Sequence, residues 1–120
     1  MTTDEINKIL SCIGRSVTFK YPGEEGTRHG ILQDRAVFHS HFASGEVPYW
    51  DVIDLIAFKD EPEECIRIGY YRKPGEKLIW GSQTTITEPV SVWKEMLIEV
   101  AREKIWFRKL LEDVVSELEK

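Results

Sequence analysis

Residues 66–87, IRIGYYRKPGEKLIWGSQTTIT, carry the pattern that decides the fold. Two runs rich in aromatic and β-branched residues flank Pro74-Gly75, a pair that favours chain reversal, so the stretch reads as a β-hairpin. Centring the reversal on Pro74-Gly75 sets Tyr71 against Leu78, Tyr70 against Ile79, Gly69 against Trp80 and Ile68 against Gly81. Each glycine then meets a large residue, and an aromatic laid over a glycine covers backbone that would otherwise be open. Opposed residues share a face. One face carries Ile66, Ile68, Tyr70 and Ile79 and is expected to be the core. The other carries Arg67, Tyr71, Leu78, Trp80, Ser82 and Thr84.

Upstream, the periodicity is that of sheet partners. Val17, Phe19 and Tyr21 alternate with polar residues, a half-buried strand that Pro22-Gly23 ends. A second strand region, 27–42, changes phase between Ile31 and Val37, so a bend, bulge or break is expected near Asp34-Arg35. Residues 47–58 satisfy both helical and strand spacings. Their β-branched and aromatic content favours a strand from about Val52, with a helical turn over 48–51. Before the sheet, Thr2 and Glu5 have the spacing of a capping box. Ile6, Ile9, Leu10 and Ile13 then share one helical face, and Gly14 suits a left-handed cap.

Downstream of Pro89 the period turns helical, with Thr87 placed to cap. Val92, Trp93, Met96, Leu97, Val100 and Ala101 line one side. Phe107, Leu110, Leu111, Val114, Val115 and Leu118 line another. A single helix over 89–119 would span about 46 Å, too long for so small a sheet. Either it breaks near Lys104-Ile105, where no glycine or proline marks a break, or its far end packs on a second copy of the chain. The expected architecture is one α+β domain over 1–120. It has an N-terminal helix and a strongly bent antiparallel sheet of about five strands, open or closed into a small SH3-like barrel. One long or two consecutive C-terminal helices complete it.

Composition narrows the function classes. With 120 residues, 42% hydrophobic and 31% charged, the chain can bury one core without staples. Cys12 and Cys65 fit no disulfide framework or metal pair and read as buried free thiols in a reducing, cytoplasmic setting. No signal peptide is read at the N-terminus, and no apolar run approaches the roughly 18 residues of a membrane span. The net charge of −5 disfavours generic affinity for nucleic acid or anionic membranes. Acidic Asp60, Glu61, Glu63 and Glu64 nonetheless run straight into Arg67, Arg72, Lys73 and Lys77. These are either two mutually attracting solvated patches or a local basic surface.

Chemistry-bearing motifs are sparse. His39 and His41 share a strand face and, with His29, Asp34 or Cys65, have the types needed for a metal site. The plainer reading is a pair of solvated histidines, and no metal or cofactor is expected. The glycines follow no phosphate-binding pattern, and Glu46, Asp51 and Asp54 form no recognisable acid–base motif. Enzymatic chemistry is therefore not expected. The best candidates for partner binding are Arg67, Tyr71, Arg72, Lys73, Lys77 and Trp80, which mix rigid aromatics with cations. Against this, Leu78 and Trp80 can simply lie beneath Trp93 or Trp106. The expected role is a non-enzymatic protein-interaction or regulatory module, self-associating through its C-terminal helices. A nucleic-acid-binding module using the basic hairpin 67–77 is the alternative. A small metal-dependent or ligand-binding enzyme near the histidines comes third.

Overall fold

A one-residue phase change in the second strand determines what each side of the sheet carries. The computed structural model describes residues 2–20, 27–40, 49–81 and 89–120. Its elements are α1 (Thr2–Leu10), β1 (Ser16–Lys20), β2 (Thr27–Ser40), β3 (Tyr49–Phe58), β4 (Cys65–Arg72), β5 (Ile79–Trp80), α2 (Val90–Glu103) and α3 (Ile105–Leu118). The strands form an antiparallel meander in the order β1 to β5. The sheet curls into a half-barrel, flanked by the N-terminal helix and two C-terminal helices, an α+β fold as expected.

The β2–β3 register shifts between Leu32 and Asp34, leaving Gln33 as the extra residue of a bulge. Before it, Leu32 faces Ile56; after it, Arg35 faces Asp54, Ala36 faces Ile53 and Val37 faces Val52. Arg35 and Val37 thereby join Leu32 on the inner face, and Asp34, Ala36 and Phe38 point outward. The slip expected near Asp34-Arg35 is this bulge. Residues 49–58 form a strand, already extended from Tyr49 where the expected helical turn over 48–51 would have placed a helix, and residues 47 and 48 lie outside the described residues. Central β3 is covered on both sides, which explains why its apolar pattern fits no single period.

Two helical layers provide that cover. On the outer face, Met96, Val100 and Phe107 pack on Ala36, Phe38 and Ile53. On the inner face, Ile9 of α1 packs on Trp50 and Val52, with Leu78 and Trp80 beside them. Deeper in the half-barrel, Cys12 and Cys65, both half-buried, border Leu32, Ile56 and Phe58. Gly14 has φ +89°, the left-handed conformation expected of it after α1.

The C-terminal segment breaks at Lys104, whose backbone is extended (φ −120°, ψ 111°). Its N–H closes α2 on the Val100 carbonyl, and its own carbonyl accepts from Phe107 and Arg108 to open α3. The break needs neither glycine nor proline because Asp34, turned outward by the bulge, holds it. The Asp34 carboxylate accepts from Lys104 Nζ and Trp106 Nε1, each at 2.9 Å, and from the Arg35 N–H at 2.9 Å. Burial pushes the Asp34 carboxyl up, but the hydrogen bonds from Trp106, Lys104 and the Arg35 backbone outweigh it and hold it below the usual aspartate range.

The hairpin differs from expectation in three respects. Tyr71 pairs with Trp80 and Arg72 with Ile79, a register two residues from that of a tight Pro74-Gly75 turn. A shift of two preserves the faces, so Trp80 still covers Gly69, now diagonally, and a Cβ there would overlap the indole. Second, β5 is only two residues long, and the expected continuation through 82–87 lies outside the described residues. Third, the face assignment is inverted. Arg67, Tyr71 and Trp80 look into the half-barrel, whereas Ile66, Ile68 and Ile79 are 39–45% exposed on the outer side. The cause is coverage: α2 and α3 sit over β2 and β3 on the outer side and leave the outer face of β4 exposed. For the same reason Leu78 and Trp80 lie with α1, not beneath Trp93 or Trp106.

Candidate interaction site

Three of the six candidate residues come together inside the half-barrel. Asp54, on β3, lies opposite Arg35 of β2 and Arg67 of β4, so one carboxylate stands between two guanidiniums in a row across the sheet. Arg35 donates Nε to Asp54 Oδ1 at 2.6 Å and Nη2 to Oδ2 at 3.0 Å, a bidentate pair in which both side chains are at most 2% exposed. Arg67 donates Nε and Nη2 to Oδ2 at 3.0 and 2.9 Å. Arg35 spends its remaining Nη1 on the Ile9 carbonyl (3.0 Å) and the Tyr71 hydroxyl (2.9 Å), tying α1 to β4.

The rings complete the cluster. Arg67 lies 4.7 Å and Arg35 5.7 Å from the Trp80 ring centre, and Tyr71 tilts against Trp80 at 4.9 Å. Guanidinium planes over aromatic faces are favourable and rigid. Burial presses the Arg35 guanidinium toward neutrality, and the hydrogen bonds and charge of Asp54 outweigh it, leaving its proton held more firmly than usual. Burial likewise pushes the Tyr71 phenol up, with Arg35 opposing. A cavity of about 330 Å³ opens above this floor, walled by Arg15, Ser16, Val17 and Thr18 on one side and by Arg67, Tyr71 and Trp80 on the other. One cavity touching both β1 and β4 requires the sheet to wrap around it, because these strands would stand roughly 14 Å apart in a flat sheet.

The other three candidates sit apart, at the hairpin tip. Lys73 is bound to Glu5 of α1 at 2.6 Å, and that hydrogen bond is the main reason the Glu5 carboxyl lies below its ordinary range. Arg72 and Lys77 are exposed. Of the expected basic surface on 67–77, these two residues are the cations facing solvent, while Arg67 and Lys73 hold carboxylates of the protein itself. Acidic Asp60 reaches back to Arg28 at 3.2 Å. His39 stacks on Trp50 with ring centres 5.2 Å apart, and His41 lies outside the described residues. Among the described residues, no three His, Cys, Asp or Glu side chains gather as a metal site would require.

A second surface is apolar. From Glu112 to Lys120 every residue of the C-terminal segment is exposed, including Val114 (47%), Val115 (51%) and Leu118 (80%). The beginning of α3 is anchored by Phe107 in the core and Trp106 on Asp34, and the remainder projects beyond the sheet. Among the described residues, no helix is long and apolar enough to cross a membrane.

Sequence reasoning passed over Arg35 and Asp54. The available signal was Asp54 itself, a carboxylate inside the apolar run of β3, which demands a cationic partner when buried. No protein-family model, curated protein or solved structure matches the chain.

Proposed function

We propose that this protein is a non-enzymatic interaction module whose α3 pairs with α3 of a second copy. The observation that carries this reading is the uncovered second half of α3. Helices this short draw most of their stability from packing an apolar face, and along the second half of this one Val114, Val115 and Leu118 are 47–80% exposed. Val114 and Leu118 continue, at steps of three and four, the stripe that Phe107 and Leu111 begin against the core, and this is the spacing of a helix-pairing seam.

Charge favours a second copy as the occupant. Arg108 and Glu119 lie eleven residues apart, three helical turns, on the same edge of the stripe. An antiparallel pair about a two-fold axis sets Arg108 of each copy near Glu119 of the other, a self-complementary arrangement. Light scattering should give twice the 14.0 kDa chain mass. Val115→Glu with Leu118→Glu, both on residues exposed in the protomer, should return it to the single-chain mass with unchanged circular dichroism. A native chain that stays at the single mass at high micromolar concentration defeats the proposal.

A further inference from the structure

Independently of self-association, we infer that the mouth of the half-barrel is a binding site for a small, flat ligand bearing a carboxylate or phosphate. Its volume of about 330 Å³ lies at the lower end of the range for small-molecule pockets. Its described lining contains the guanidiniums of Arg15, Arg35 and Arg67 and no carboxylate. Asp54, completely buried, sits below the floor with both oxygens already committed. A chain of net charge −5 has thus gathered three cations at one concavity, against its overall bias. Low-dielectric walls focus such a field on the space between them.

Arg15 is the decisive residue. Its backbone is fixed on both sides, its N–H donating to the Cys12 carbonyl and its own carbonyl accepting from Leu32, each at 3.0 Å. Its side chain is exposed at the rim and makes no ion pair among the described residues. A rigidly rooted guanidinium with its donors available, opposite the buried Arg35 and the partly exposed Arg67, suits the planar two-oxygen edge of a carboxylate or phosphate. Trp80 and Val17 add flat and apolar wall, which favours a ligand with a compact planar body over a bare inorganic ion.

The test is a nuclear magnetic resonance titration of the full chain at constant ionic strength, following the Trp80 indole N–H and the arginine Nε–H signals. The probes are benzoate, phenyl phosphate and, as the charge-reversed control, benzamidine. Saturable shifts at these signals with benzoate, phenyl phosphate or both support the site, and which anion binds more tightly identifies the preferred head group. Arg15→Glu should weaken that binding at least tenfold while leaving the melting temperature unchanged, and Arg15→Lys should weaken it less. The inference is overturned if neither anion saturates, if benzamidine shifts the same signals equally, or if Arg15→Glu binds as the native chain does.

Discussion

The two faces of this sheet solve burial in opposite ways. The inner face carries a salt-bridged row of Arg35, Asp54 and Arg67, yet the first two are at most 2% exposed. The outer face of β4 and β5 carries Ile66, Ile68 and Ile79, yet these are 39–45% exposed. Hydrophobicity would assign the faces the other way round. Position in the fold decides instead: curvature and α1 enclose the inner side whatever lines it, and the outer helices reach only as far as β2 and β3. A buried ion cluster of this kind is weak evidence for stability, because desolvation consumes much of the Coulombic gain. It does make the inner face intolerant of losing any one member.

The sharpest way to break the contrast is Asp54→Ala. It removes the carboxylate shared by the buried Arg35 and the partly exposed Arg67 and should cost about 3–5 kcal/mol, read from urea unfolding. A loss under about 1 kcal/mol would mean that the row is wet and the faces are less different than described. Asp34→Asn tests the polar exception on the outer side. It keeps the shape but weakens the hydrogen bonds to Lys104 and Trp106, and it should cost about 1–2 kcal/mol. Because the folded state lowers the Asp34 carboxyl, its contribution is complete above the ordinary aspartate value of about 3.9 and is lost as pH falls through the lowered one. The variant should therefore show a shallower loss of stability below about pH 4; an acid limb identical to the native one would refute the role given to Asp34. The smallest effect belongs to Ile68→Thr, expected within about 0.5 kcal/mol of native because the residue is already 45% exposed. A loss of several kcal/mol there would restore the outer hairpin face to the core.

Much of the architecture was legible in local pattern. The period-two runs, the helical stripes and the phase slip in β2 each have a short-range cause, and each led to the right element. The hairpin faces were not legible, since period two separates the sides of a strand without saying which side another element covers. A break near Lys104-Ile105 was one of two alternatives the length argument left open, and its cause, a carboxylate seventy residues earlier, leaves no local mark. Arg67, Tyr71 and Trp80 were singled out as a group because alternation puts them on one face. Arg35 and Asp54, which organise that group, could be joined to it only once the bulge was counted.

The bulge at Gln33 works as a frameshift in the side-chain alternation of β2. Residues on either side of it are spelled in opposite phase, and the extra residue absorbs the change. Were Gln33 paired instead as an ordinary strand residue opposite Leu55, Asp34 would fall against Asp54 and Arg35 against Ile53, on the side of Met96 and Val100, exchanging the contents of two compartments in one step. Removing Gln33 altogether heals the alternation and leaves Leu32, Arg35 and Val37 on the inner face. The strand therefore tolerates losing this residue better than straightening it.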